Sequence, residues 1–193
     1  MFGKGFLQDV RHNLWECFFI THSLRKDLPM KLTTIIPVHN AEKYITATLD
    51  SVLQQDLGNP EELEVICVDD ASTDASVALI KDYQQKDSRI RLFLNEKTRF
   101  AGACRNKGIE EAHGDYLHFL DADDLVEKGA YQKYLSIAEQ ADADMVKGCA
   151  VCFDNETGEL SDTPLFALSD VPAECFDKVL NFHQAPEISA TSV

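Results

Sequence analysis

The sequence predicts an α/β fold, a mostly parallel sheet flanked by helices. Three observations carry that prediction. From Leu32 onward, β-rich runs alternate with stretches of helical period, and such alternation implies βαβ units. The run 64–68, EVICV, is nearly continuous in apolar residues, as a strand buried on both faces requires. Polar clusters follow three of the runs, at 37–40, 69–70 and 121–124, and open sheets of this kind bind ligands outside the carboxyl ends of their strands.

The elements follow in order. Leu32–Val38 is the first strand, with Pro37 at its end where a missing donor is tolerated. Asn40 is placed to cap the next helix and Glu42 to favour its positive end. Ile45, Leu49, Val52 and Leu53 fall on one face at helical spacing. The run 64–68 is the second strand. Ser72 is the expected N-cap of a second helix, with Asp74 in its first turn and Val77, Ile80 and Tyr83 as its apolar stripe. Ile90–Leu94 is a third strand, 101–112 a helix stopped at His113-Gly114, and 116–120 a fourth strand. Tyr131, Leu135 and Ala138 mark a last helix, and 145–153 a fifth strand before the turn-rich DNETGE.

The 29 residues before this pattern differ from it. They show no clear period and end in the charged stretch SLRKDLP. Residues 1–29 are expected to be a leader, with Met30 as the natural start, or else an amphipathic arm carrying Phe6, Leu7, Val10, Leu14 and Phe18. The division expected is 1–29 leader or arm, 30–153 ligand-binding domain, and 154–193 an incomplete further region.

Composition removes several function classes. The 193 residues carry a net charge of −15 and a pI near 4.7, which disfavours nucleic acid as a partner, since phosphate backbones are held by clustered Lys and Arg. An anionic small ligand would need a cation between itself and the protein. Cys67 and Cys104 sit inside apolar or helical runs, as buried thiols do. Cys149 and Cys152 form a lone CxxC, for which two strand residues are a simpler reading than zinc. No run is long enough to span a bilayer. The apolar patch LWECFFI contains Glu16 and lacks the marks of a signal peptide.

The cluster Asp121-Ala122-Asp123-Asp124 puts three carboxylates within four residues after an apolar strand. Two like charges about 4 Å apart repel by roughly 1 kcal/mol in water and by roughly 4 kcal/mol at an effective dielectric near 20. A divalent cation would relieve this, and hard oxygen ligands without His or thiolate select Mg2+ or Mn2+. A solvated acidic loop capping the next helix is the competing explanation. In the second cluster, VDDASTD, capping accounts for Ser72 and Asp74 and leaves Asp69 and Asp70 less explained. In the third, the small residues Ala101, Gly102 and Ala103 let an anion approach a helix N-terminus, and Arg105 offers a planar fork for phosphate or a base edge. No GK[ST] follows and no GxGxxG stands after the first strand, which argues against kinase-like and dehydrogenase readings. A nucleotidyltransferase lacks support as well, because the first strand is not followed by a Gly-rich basic loop.

The succession TIIPVHNAEKYITATLDSVLQQ, EVICVDDASTDAS and AGACRNKGIEEAHGDYLHFLDADD, over residues 30–145, resembles the family-2 glycosyltransferases. The resemblance implies a GT-A fold, a Rossmann-like nucleotide-diphospho-sugar transferase domain, and an inverting transfer from a UDP-linked sugar to a hydroxyl acceptor in surface polysaccharide biosynthesis. It implies donor contacts from Pro37, Val38, His39, Asn40 and Glu42, and from Asp69 and Asp70, with Asp70 reading the uracil. Gly102 and Arg105 would lie beside the base and phosphates, and Asp121 and Ala122 beside the ribose. The DxD motif maps to Asp121 and Asp123, which would bind Mn2+ or Mg2+. His39 stands where family members often have an aromatic, which weakens the expected stacking on the base. The acceptor would be a glycan or a lipid-linked species, met in the cytoplasm or at the inner face of the membrane by a protein without a transmembrane segment. The family's catalytic base comes from beyond the donor region. Asp154, Glu156, Glu159 and Asp162 read as surface charge, so the base is expected beyond Val193. A nucleotide-sugar-binding module without the base is the alternative.

Overall fold

The computed structural model describes residues 17–20, 31–141, 143, 145–147 and 157. Its strands are β1 (Cys17–Ile20), β2 (Leu32–Val38), β3 (Leu63–Asp69), β4 (Ile90–Leu94), β5 (Tyr116–Phe119) and β6 (Met145–Lys147). Its α-helices are α1 (Ile45–Leu53), α2 (Ser76–Lys86), α3 (Phe100–Glu111) and α4 (Ala130–Ala141). The strands form one sheet in the order β4-β3-β2-β5-β1-β6. β4, β3, β2 and β5 are parallel, so the expected α/β fold with its parallel sheet is present.

Alternation along the strands sorts the core onto two faces. Ile36, Val65 and Cys67 pack with Ile45, Leu49 and Val52 of α1, Ile80 of α2, and Tyr131, Leu135 and Ala138 of α4. Those are the stripes the helical spacing predicts. Ile35, Ile66, Val68 and Leu117 face the other way and pack with Cys104 of α3. α3 lies close to the sheet because position 108 is glycine. A Cβ there would overlap the side chain of Ile35.

Three local expectations differ from the structure. Cys17–Ile20, inside the segment expected to be a leader or arm, is a strand paired antiparallel with both β5 and β6. A four-residue strand has no period to read, and its partners lie about a hundred or more residues away. α2 begins at Ser76 and Ser72 does not cap it; of the two residues expected to serve the helix start only Asp74 does, its Oδ1 accepting the Ser76 N–H at 2.9 Å. α1 begins at Ile45 without a side-chain cap, so Asn40 is not its cap. Ser72 and Asn40 have other partners, described below. Of the expected strand 145–153, the residues after Lys147 lie outside the described ones, as do Cys149 and Cys152.

Candidate functional site

β2 is followed by β3 and β4 on one side of the sheet, and the chain then returns to place β5 on the other. The strand order reverses between β2 and β5, and the loops at their carboxyl ends diverge to leave a crevice. A cavity of ≈ 300 Å³ lies there, lined by Pro37, Val38, His39, Asn40, Ala41 and Tyr44 after β2, Asp70 after β3, Ala101, Cys104 and Arg105 of α3, and Asp121, Ala122 and Asp123 after β5. That is the lower end of the size range of small-ligand sites.

One wall is made of two loops fastened to each other. The Asn40 N–H donates to the Ser72 hydroxyl at 2.9 Å, and the Thr73 N–H donates to the Asn40 side-chain oxygen at 2.8 Å. The Ala41 N–H donates to Ser76 Oγ, the Glu42 N–H to Asp74, and the Ala75 N–H to Glu42. These side chains satisfy backbone donors of the opposite loop, and Asp74 in addition accepts the Ser76 N–H at the start of its own helix. His39 joins the same wall. Its Nδ1 lies 2.8 Å from the Asp70 carbonyl and its Nε2 3.2 Å from the Asn40 amide nitrogen. Both contacts are met when Nδ1 carries the proton and Nε2 accepts.

Asp70 joins this wall to α3. Its carboxylate accepts from the Arg99 N–H at 2.7 Å, the Phe100 N–H at 2.8 Å and the Asn95 amide at 3.1 Å. Burial opposes its charge, but these hydrogen bonds outweigh it and hold the carboxyl below its usual range. Non-glycine residues in the left-handed region gather here: Asn40 at φ 51°, Ala71 at 58° and Phe100 at 67°. Such strain persists where surrounding contacts over-determine the backbone, and at Phe100 the Asp70 carboxylate supplies one of them. Burial, then the charge of Asp70, push the Cys104 thiol up to about 11, so it is a protonated part of the wall.

The opposite wall is the turn after β5. α1 fixes it from beneath. Thr48 Oγ1 donates to the Ala122 carbonyl at 2.9 Å, the Val126 N–H donates to Ser51 Oγ, and the Gln55 amide donates to the Glu127 carbonyl. The turn is held by its backbone, leaving the Asp121 side chain 47% exposed and Asp123 exposed. Arg105 reaches across from α3 and donates to Asp121 Oδ1 at 2.6 Å. Asp124 is buried.

The cavity therefore gathers Pro37, Val38, His39, Asn40, Asp70, Arg105, Asp121, Ala122 and Asp123 from the expected set. Glu42, Asp69 and Gly102 are not in its lining. Glu42 is used in the loop clasp. Asp69 is buried and accepts the Ser72 N–H. Gly102 is exposed, and a Cβ there would meet nothing within 4 Å. Ala41 and Tyr44 line the cavity without having been singled out. Ala101, named for its small side chain, and Cys104, named as a buried thiol, line it too, Ala101 lying four residues before Arg105 on the same helix face. Asp154, Glu156, Glu159 and Asp162 lie outside the described residues.

Among the described residues, no cluster of three or more His, Cys, Asp or Glu side chains is arranged to hold a metal ion by itself. The donor set still fits Mg2+ or Mn2+. Such ions are typically bound through one or two carboxylates and complete their shell with water and substrate phosphates, and Asp121 and Asp123 open onto a cavity with room for both. No helix among the described residues is long and apolar enough to cross a membrane.

A mostly parallel α/β sheet with a crevice of this kind at its switch point defines a ligand-binding α/β class of protein. The family model "Glycosyl transferase family 2" matches residues 33–189, and the chain belongs to that family. An uncharacterized glycosyltransferase of Haemophilus influenzae is 36% identical over 129 residues, which is 67% of this chain and 50% of that protein. A poly(ribitol-phosphate) beta-glucosyltransferase of Bacillus spizizenii is 34% identical over 120 residues, 62% of this chain and 19% of that one. The chain thus spans half or less of these two relatives. The crystal structure of S. aureus TarS 1-349 in complex with UDP-GlcNAc matches at a TM-score of 0.56 and 32% identity, over 60% of this chain and 33% of that one. The fold is accordingly GT-A. A mannosyltransferase from Pyrobaculum calidifontis, in complex with GDP-Man and Mn2+, shares the fold at a TM-score of 0.50 and 24% identity over 57% of this chain.

Proposed function

We propose that this chain is the donor-binding part of an inverting glycosyltransferase that uses a UDP-sugar and a divalent cation and serves surface polysaccharide assembly. The observation that carries the reading is the pairing of two exposed carboxylates, Asp121 and Asp123, with Arg105 across one cavity. A diphosphate needs positive charge on both sides, and an acidic protein offers it here through one guanidinium and a site for a cation. When bound, the cation would neutralise the leaving diphosphate. Asp70 would accept the uracil ring N–H. A carboxylate has about four acceptor sites, and Arg99, Phe100 and Asn95 use three of them, with the Cys104 thiol also beside it. The apolar walls at Pro37, Val38 and Ala101 would exclude water from the base.

The finding of UDP-GlcNAc with TarS and the poly(ribitol-phosphate) substrate in a relative's name support a sugar donor and a polymeric surface acceptor. A glycan or lipid-linked acceptor met at the cytoplasmic face of a membrane completes the reading. The test is thermal denaturation with UDP, GDP and ADP, each with Mn2+ and with chelator. UDP with Mn2+ should raise the melting temperature most, since a ligand of the folded state stabilises it by mass action. Equal shifts with and without metal would remove the roles given to Asp121 and Asp123.

A further inference from the structure

We infer that Arg105 is an exchangeable counter-ion, which holds Asp121 while no donor is bound and passes to the donor's diphosphate when a divalent cation is held by Asp121. The inference rests on the reading of Asp121 and Asp123 as metal ligands. It goes further in assigning Arg105 two successive partners and in making metal affinity depend on the nucleotide.

Three observations carry it. Arg105 is the one Lys or Arg among the described residues lining the cavity, so these offer a single fixed cation there. Its contact with Asp121 Oδ1 is short, 2.6 Å, yet both side chains remain partly exposed, at 34% and 47%. Neither is locked in place by burial. Arg105 also spends only one of its five N–H donors on that contact among the described residues. Arg91 contrasts with it, binding Glu64, the Glu111 carbonyl and the Glu111 carboxylate together.

The consequence follows from charge. Asp70 offers Arg105 little relief, because most of its acceptor capacity is engaged by the Arg99 and Phe100 N–H groups and Asn95. A dication bound to Asp121 repels the guanidinium held by the same carboxylate, because the two charges are alike. Metal alone therefore weakens the one side-chain contact that Arg105 makes among the described residues. A nucleoside diphosphate provides a replacement anion, and a planar guanidinium matches phosphate geometry well. Metal and nucleotide each favour the other's binding by the same factor, as linkage requires.

The experiment is a Mn2+ titration of the full chain, followed by the resonance of free Mn2+, with and without saturating UDP. It uses wild type, Arg105→Met, Arg105→Lys and Asp123→Ala. In wild type, UDP should tighten Mn2+ binding about tenfold, within the usual range of coupling between sites. Arg105→Met keeps the side chain's length without its charge. It should bind Mn2+ alone about 3- to 10-fold more tightly than wild type, show coupling below about threefold, and bind UDP more weakly. Arg105→Lys should restore the weak binding of metal alone. If Arg105→Met binds Mn2+ alone no tighter than wild type and keeps the wild-type coupling, the exchange is wrong while the metal site stands. If no form binds Mn2+ even with UDP, or if Asp123→Ala binds it like wild type, the metal reading fails and the inference with it.

Discussion

Glu64 and Asp121 are both carboxylates that meet an arginine, at opposite ends of the same sheet, and they are built differently. Glu64, near the amino end of β3, accepts from Thr33 Oγ1 at 2.7 Å, the His113 N–H at 2.9 Å and Arg91 at 2.7 Å. Its side chain is 16% exposed. Burial opposes the charge, but the His113 N–H, Thr33, Arg91 and the His113 ring outweigh it and hold the carboxyl down at about 2. Asp121, at the carboxyl end, has one short ion pair among the described residues and a side chain 47% exposed. A saturated carboxylate has no capacity left for a ligand and contributes to stability. An unsaturated one stabilises little and is available to bind.

The comparison can be broken first at the open end. Asp123→Ala should weaken metal-dependent UDP binding by at least about 100-fold, since loss of mere supporting contacts to metal ligands already costs 10- to 100-fold. Its melting temperature without ligand should change little. Calorimetric titration checks the first statement, and retained metal-dependent affinity would show that the open carboxylates do not hold the ion. Asp124→Ala sharpens the contrast within one turn. That side chain is buried, so its loss should appear in urea denaturation rather than in metal affinity.

At the closed end the expected effect is on stability. Glu64→Ala removes the shared acceptor of Thr33, Arg91 and His113 and should cost about 1.5–3 kcal/mol, the range for hydrogen bonds to charged groups. UDP affinity should be unchanged. A large loss of UDP binding with intact stability would reverse the assignment of the two ends. The same residue sets a pH dependence. Its folded pKa is depressed from 4.5 to about 2, so the unfolded chain takes up the proton first. The stabilisation is present above about 4.5 and is lost as pH falls towards about 2. Urea midpoints of wild type and Glu64→Gln between those pH values should converge as the pH is lowered, and parallel curves would contradict the assignment.

The smallest effect concerns strain at the open end. Phe100 has φ 67° and is 78% exposed. Phe100→Gly should raise stability by about 0.5–1 kcal/mol, because glycine adopts the left-handed region without a Cβ penalty. Thermal denaturation would detect the shift, and a lower melting temperature would mean that the ring makes contacts worth more than the strain.

Much of this molecule could be read from residue order. The buried runs, the stripes Ile45–Leu49–Val52 and Tyr131–Leu135–Ala138, and the polar clusters at the strand ends are consequences of local period and composition. The clusters placed eight of the cavity's lining residues, and the small-residue helix start that carries Arg105 a ninth. The sequence reading missed what depends on partners far along the chain. Asn40 and Ser72 resemble helix caps in sequence, because a short polar side chain before a helix usually serves that helix. Here each satisfies the backbone of the opposite loop. β1 escaped notice for the same reason, since its register is set by β5 and β6.

The sequence by itself determined the alternation of strand and helix, the two faces of the core and the edge of the sheet that carries the polar clusters. These follow from side-chain periodicity and need no knowledge of what lies across the fold. Only the tertiary structure decided which carboxylates are saturated. Glu64, Asp70 and Asp121 are equivalent in composition, and a carboxylate's spare capacity depends on how many N–H and O–H groups the fold brings within hydrogen-bonding distance. Glu64 and Asp70 receive backbone donors from segments 49 and about 30 residues away. Among the described residues Asp121 receives a single guanidinium, from α3, and that leaves the capacity on which the proposed site depends.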